Sequence, residues 1–148
     1  MDVFTRTFSV AAAEAGVAVP SISRHMSVFR SCIEPDDSTV LVTRCVRSDE
    51  PAAGEFLLLL TYRRLVVTKQ SRVLHRIRVH LNTNLRHLSS VTWSPDQHDS
   101  AVEIAATAVD GVRERFRMHV GRPDRMWRFD ALLRHVFVDR RRSVSLAA

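Results

Sequence analysis

Two adjoining apolar runs decide the fold: residues 56–67 read FLLLLTYRRLVV. The first run, at 56–60, falls far short of the roughly 20 apolar residues that a membrane-spanning helix needs. It is bounded by polar residues and is typical of a strand, which we place at 55–61. Tyr62 and Arg63 can turn the chain into a second β-prone run, so a second strand is predicted at 64–70.

Working outward from this pair, five more segments have the composition of strands. They lie at 39–47, 72–81, 88–93, 101–109 and 112–120. Residues 72–81 alternate with a period of two, as a half-buried strand does, and Asn82-Thr83-Asn84 is expected to break it. Asp110-Gly111 is a strong signal for a tight hairpin between the last two segments. The sequence therefore predicts seven antiparallel strands.

After Gly121 the period changes from two to that of a helix. Pro123 suits a first helical turn, and Asp124 lies favourably near the positive end of the helix dipole. Apolar residues then recur at spacings of three and four, namely at Met126, Phe129, Leu133 and Val136 or Phe137. This pattern predicts an amphipathic helix of about four turns that ends before Arg140.

Seven strands followed by an amphipathic helix with an early tryptophan, Trp127, resemble the pleckstrin-homology-like (PH-like) fold, and the bacterial PH and GRAM-like domains in particular. Residues 57–67 and the LSSVTW segment at 88–93 are similar to strands of that family. The resemblance covers roughly 36–139. It implies a mainly β barrel of seven antiparallel strands in two nearly orthogonal sheets, capped by a C-terminal α-helix.

The resulting domain organisation has three parts. Residues 1–35 form an N-terminal helical extension, residues 36–139 the PH-like domain, and residues 140–148 a short basic tail. The second half is the basic one, because residues 61–148 carry 17 cations against eight acids, whereas residues 1–60 carry five against eight. Arginine supplies 21 of the 22 cations, with Lys69 the only lysine, a bias typical of a high-GC genome.

Two rows of arginines are the candidate sites for an anion or a partner. Alternate side chains on a strand share a face and lie roughly 7 Å apart, so each row can meet phosphates, an acidic partner or an anionic membrane. An ordinary solvated sheet face is the alternative interpretation. Glu114 falls on the apolar side near the hairpin and is expected to be exposed. The candidate residues are Arg72, Arg76 and Arg78 on the fourth strand, and Arg113, Arg115 and Arg117 on the seventh.

The family resemblance also implies phosphoinositide binding, through basic residues in and after the first two strands. Here the loop at 47–55 holds three acids and one base, and the strand at 56–60 holds no cation. We therefore do not expect that activity. The role that the resemblance still implies is protein interaction or oligomerisation.

The N-terminal segment carries a competing pattern. Ala12, Gly16 and Ile22 have helix-turn-helix spacing, and residues 8–26 resemble the lactose-repressor-like version of that motif. The resemblance implies a recognition helix on which Ser21, Ser23 and Arg24 face DNA. His25 departs from it, since such helices bury an aliphatic residue there. The alternative is one or two helices that pack Val28, Phe29 and Ile33 on the barrel.

No catalytic signature accompanies these patterns. The chain has no GxGxxG, P-loop, GxSxG or HExxH motif, and Cys32 and Cys45 match no zinc spacing, so no catalytic residue, metal or cofactor is predicted. We expect a non-enzymatic cytoplasmic binding module whose partner is a protein or a second copy. The alternatives are DNA binding through the N-terminal segment and peripheral attachment to an anionic membrane.

Overall fold

A computed structural model describes residues 1–71, 73 and 76–140, without the side chain of Val19. The chain is mainly β with helices, as predicted. A π-helical turn, His135–Asp139, prolongs the last helix. In chain order the elements are α1 (Val3–Glu14), α2 (Val19–Cys32), β1 (Thr39–Arg47), β2 (Glu55–Thr61), β3 (Arg64–Gln70), β4 (Ile77–Asn84), β5 (Ser89–Asp96), β6 (Ala101–Thr107), β7 (Arg113–His119) and α3 (Pro123–Arg134).

The seven strands form one continuous antiparallel sheet in the order β4-β3-β2-β1-β7-β6-β5. Two nearly orthogonal sheets were expected, and β1 is the strand that makes them continuous. It pairs with β2 along its length and with residues 116–118 of β7 through its last three residues, Cys45 to Arg47. Hydrogen bonds to β1 therefore join strands β2 to β4 and strands β5 to β7 into one sheet.

The first hydrophobic core shows that this sheet curves around itself. Leu58 and Leu60 of β2 share a buried cluster with Ile104 of β6 and Phe116 of β7, although β2 is bonded to neither strand. Helix α3 packs onto this cluster with Met126, Phe129 and Leu133. The arrangement is compatible with the PH-like fold, and the predicted C-terminal helix is confirmed.

The second hydrophobic core lies on the opposite face of β1, β2 and β3. Strand residues that alternate with those of the first core, such as Val42, Leu57 and Leu59, pack against Phe8 and Phe29 of the two N-terminal helices. Both faces of β2 are thus buried, because each of its residues from 56 to 61 is less than 5% exposed. This burial on both faces explains why the run at 56–60 is apolar without interruption.

Local signals fix the helical hairpin that covers this second face. Asp2 caps α1 by accepting a hydrogen bond from the Thr5 amide at 2.7 Å, and Pro20 lies in the first turn of α2. Between the helices Gly16 adopts a φ of +69°, a conformation that glycine reaches without a Cβ penalty. The predicted N-terminal helical extension is therefore present as two helices, and both pack on the sheet.

A buried polar junction ties the end of this hairpin to the β2–β3 turn. The Asp37 carboxylate, 2% exposed, accepts hydrogen bonds from the Thr61 hydroxyl at 2.6 Å and the Ser38 amide at 2.8 Å. Arg63 donates two hydrogen bonds to Asp36, and these lower the pKa of that carboxyl. Residues 36–38 are therefore anchored to the sheet.

Strand β4 differs from its prediction at both ends. It begins at Ile77, whereas Arg72, Leu74 and His75 lie outside the described residues. It also continues through 82–84, where a break was expected, because these residues pair with 64–66 of β3. Backbone pairing with β3 therefore outweighs the low strand propensity of asparagine.

Trp127, which contributed to the family resemblance, lies on the outer side of α3. Its side chain is 53% exposed, whereas the neighbouring Met126 is fully buried in the first core. Met126 therefore supplies the packing at this point of the helix, and Trp127 does not.

We predict that the N-terminal helices are a necessary part of the folded unit. Phe8→Ala removes a fully buried ring and should lower the free energy of unfolding by about 3–5 kcal/mol. Val10→Ala, on the exposed side of α1, is the matched control and should change it by less than about 0.5 kcal/mol. Urea denaturation measures both, and equal small effects would show that α1 does not stabilise the sheet.

Candidate functional site

The arginines of β7 all contact groups within the protein. Arg113 donates to the Ser90 carbonyl at 2.9 Å and to the hydroxyls of Thr92 and Thr107 at 3.1 Å each. Ser90 has a φ of +51° at an irregularity in the β5–β6 pairing. Arg113 therefore satisfies polar groups at a bulged edge strand.

The next two arginines of that row are paired with carboxylates. Arg115 lies 3.4 Å from Glu103, and Arg117 lies 2.7 Å from Asp96 and 2.6 Å from Asp99. The hydrogen bond from Arg117 lowers the pKa of the Asp96 carboxyl. Arg115 and Arg117 are consequently neutralised by acids of β5, β6 and their connecting turn, whereas Arg113 is held by neutral oxygens.

Glu114 is not exposed at the hairpin edge, so that prediction is wrong. Its side chain is 15% exposed and lies 3.2 Å from the Nε2 of His80 on β4. The His80 ring in turn meets Phe56 and Phe116 edge-on, at centroid distances of 5.2 and 5.9 Å. Curvature of the sheet brings β4 and β7 together across the barrel. The periodicity of the strands in the sequence could not predict this contact.

A groove of about 800 Å³ lies where α2 meets the ends of β1 to β4 and the β1–β2 loop. We call it the α2 groove and define it by its charged side chains, which are Arg24, Arg44, Lys69, Arg78 and Glu55. Ser21 and Gln70 add hydrogen-bonding groups, and Val17, Phe56 and Leu57 add apolar surface.

The α2 groove unites residues that the sequence assigned to different functions. Ser21 and Arg24, the DNA-binding candidates, line it together with Arg78 of the β4 row. Ser23 and Arg76 are exposed but do not line it, and Arg72 lies outside the described residues.

Sequence reasoning missed Arg44 and Lys69 as site residues. Neither belongs to an alternating row of cations in the sequence, and only the tertiary fold brings each of them beside α2 or β4. Lys69, as the single lysine of an arginine-rich chain, is the one signal that could have drawn attention to this region.

Cations in the α2 groove lack the close carboxylate partners that Arg115 and Arg117 have. In the part of the chain that the structure describes, Arg24, Lys69 and Arg78 form no ion pair, and Arg44 approaches Glu55 only at 3.9 Å. Lys69 places its ammonium 5.4 Å from the centre of the Phe56 ring. Four cations and one carboxylate therefore give the groove a positive potential.

The four cations fall on two sides of the sheet. Arg24 is on α2, and Arg44 shares the helix-covered face of β1 with Val42 and donates to the Gly16 carbonyl at 3.4 Å. Lys69 points to the opposite, barrel face, since its neighbour Thr68 contacts α2. Arg78 pairs directly with Lys69 in the β3–β4 register and so shares its face.

His25 anchors the floor of the groove and is 5% exposed. Its Nδ1 lies 2.7 Å from the Thr68 hydroxyl, and its ring stacks on Phe29 with the centroids 5.9 Å apart. Burial, reinforced by the charge of Arg24, lowers the pKa of His25 below its ordinary 6.5. The imidazole is therefore neutral at physiological pH. The hydrogen bond with Thr68 offsets the free-energy cost of burying this polar ring.

Comparisons with known proteins add little to this geometry. No protein-family model matches the chain, and no curated protein matches it. A solved structure of Vav1 inhibited by an allosteric inhibitor aligns with 90% of the chain at 13% identity, with a TM-score of 0.44. This chain spans 38% of the length of that one.

The described residues contain neither a metal-binding cluster nor a membrane-spanning helix. Over 1–71, 73 and 76–140, no cluster of three or more histidine, cysteine or acidic side chains is placed to hold a metal ion. In the same residues, no helix has the length and hydrophobicity needed to cross a membrane.

The lowered pKa of His25 predicts a pH dependence of stability. A group whose pKa is lower in the folded state contributes its full stability above the ordinary pKa of 6.5, and this contribution falls as the pH drops below 6.5 towards the folded value. The Tm should therefore decrease from neutral to mildly acidic pH. His25→Asn should flatten that decrease, and an unchanged slope in the variant would contradict the assignment.

Proposed function

We propose that this chain is a non-enzymatic, PH-like binding module that holds an anionic group of its partner in the α2 groove. The contrast between two sets of cations carries the proposal. Arg115 and Arg117 are neutralised by neighbouring acids, whereas Arg24, Lys69 and Arg78 line a concave surface without a carboxylate partner among the described residues.

Unneutralised cations in a groove repel one another, and an anionic ligand relieves that repulsion. Such a site raises the rate of encounter with an anionic partner and makes binding sensitive to salt. The groove also offers the Ser21 hydroxyl and the Gln70 amide for orientation. A protein partner, or a second copy of the chain, remains the leading candidate for the source of the anionic group.

The charges of the β1–β2 loop argue against phosphoinositide recognition by that loop. Its only base, Arg47, forms ion pairs with Asp49 at 3.6 Å and Glu50 at 3.3 Å. The loop thus contributes no free cation, and the positive charge of the groove comes from α2 and the strands.

Charge reversal in the groove should weaken the binding of a simple polyanion. Tripolyphosphate is the probe, and isothermal titration calorimetry of the full chain is the measurement. Arg24→Glu and Arg78→Glu should each weaken binding by about tenfold or more, which corresponds to about 1.4 kcal/mol. Arg86→Glu is the control, because it makes the same charge change at an exposed site outside the groove.

Either of two outcomes would contradict the proposal. One is that neither tripolyphosphate nor an acidic peptide binds measurably at low salt. The other is equal weakening by all three variants, which would show a response to net charge and not to the groove.

One observation favours nucleic acid as a second candidate partner. Helix α2 contains no acidic residue, and its solvent side exposes Ser23, Arg24 and Ser27. Serine and arginine on one helix face are suited to contacts with phosphates. Ser21, by contrast, is half-buried and turned into the groove.

The DNA alternative makes its own prediction. Fluorescence anisotropy with random duplex DNA should show affinity that falls steeply with salt and falls further in Ser23→Asp. Gln70→Glu, which adds the same charge inside the groove, should then have the smaller effect. The opposite order, or no binding at low salt, would exclude α2 as a DNA-reading helix.

A further inference from the structure

We infer that the groove's ligand is an extended acidic segment of a protein partner, one that contacts cations on both sides of the sheet. This inference rests on the proposed function and specifies the ligand. The observation behind it is that one continuous groove is lined by two pairs of cations that lie on opposite sides of the sheet.

We call Arg24 and Arg44 the helix-side pair and Lys69 and Arg78 the barrel-side pair. Arg44 lies on the helix-covered face, where its guanidinium reaches the Gly16 carbonyl. Lys69 lies over the Phe56 ring, which belongs to the first core. The ends of β2 and β3 therefore separate the two pairs.

This separation favours an extended ligand over a compact one. A single phosphate cluster can neutralise one pair but would leave the cations across the strand ends uncompensated. An extended peptide advances about 3.3 Å per residue and alternates the direction of its side chains, so it can present carboxylates to both pairs. Gln70 and Ser21 offer hydrogen-bonding groups to its backbone along the way.

Glu55 provides an independent check on this path. It is the only carboxylate among the described residues that line the groove, it lies 3.9 Å from Arg44, and its side chain is 61% exposed. A bound acidic segment passes this carboxylate and is repelled by it. Removing the charge should therefore strengthen binding and leave all four cations in place.

The test uses the full chain and a fluorescent dodecapeptide of consecutive glutamates, whose carboxylates point alternately to the two sides of an extended backbone. The helix-side double variant, Arg24→Gln with Arg44→Gln, and the barrel-side double variant, Lys69→Gln with Arg78→Gln, should each weaken binding by about tenfold or more. Glu55→Gln should tighten it by about two- to fivefold. Arg86→Gln is the control, and a thermal melt of each variant confirms that it is folded.

Several results would overturn the inference. Weakening by only one double variant would show a one-sided site. Groove-dependent binding of tripolyphosphate, inositol hexakisphosphate or phosphatidylserine vesicles, with no binding of the peptide, would identify a compact or lipid ligand and leave the proposed function intact. If no anionic probe binds at all, the proposed function fails together with this inference. Unchanged or weaker peptide binding by Glu55→Gln would contradict the path past that residue.

Discussion

Burial of β1, β2 and β3 on both faces is the constraint on which the rest of the structure depends. A strand such as β2, with apolar side chains pointing in both directions, needs a covering layer on each side of the sheet. The curved sheet and α3 provide one layer, and the N-terminal hairpin provides the other. Without the hairpin, Val42, Leu57, Leu59 and Val66 would face water. The helices at 3–32 and the sheet are therefore one packed unit, fastened by the buried Asp37–Thr61 hydrogen bond.

The same constraint creates the α2 groove. Because α2 must lie across the sheet to bury Phe29 and His25, its first turns bring Ser21 and Arg24 to the ends of the strands that carry Arg44 and Lys69. The site is thus a by-product of how the second core closes. Elsewhere the chain uses arginine for structure, as Arg113 does at the bulge in β5 and Arg117 does at the β5–β6 turn. Counting arginines identifies neither use. The two uses differ in whether the guanidinium is held by close partners within the protein.

Much of the fold was predictable from local patterns. The bounds of β1, β2 and β3 follow from β-branched and apolar runs ended by polar turns, and α3 follows from the change of period after Gly121. What failed depends on contacts distant in sequence. The end of β4 is set by its pairing with β3. Glu114 is largely buried because the curvature of the sheet brings His80 of β4 next to it. The site was predictable only in pieces, since Arg24 and Arg78 are 54 positions apart and no spacing rule connects them.

We propose that one groove, built jointly by the N-terminal hairpin and the strands, receives an anionic ligand on both sides of the sheet. Amide NMR spectra of the full chain, recorded during titration with the glutamate-rich dodecapeptide, test this proposal. We expect concerted chemical-shift changes at Arg24, Arg44, Lys69 and Arg78, with the same dissociation constant at all four and little change along β7. Shifts confined to the β7 arginines, or to only one side of the sheet, would contradict it.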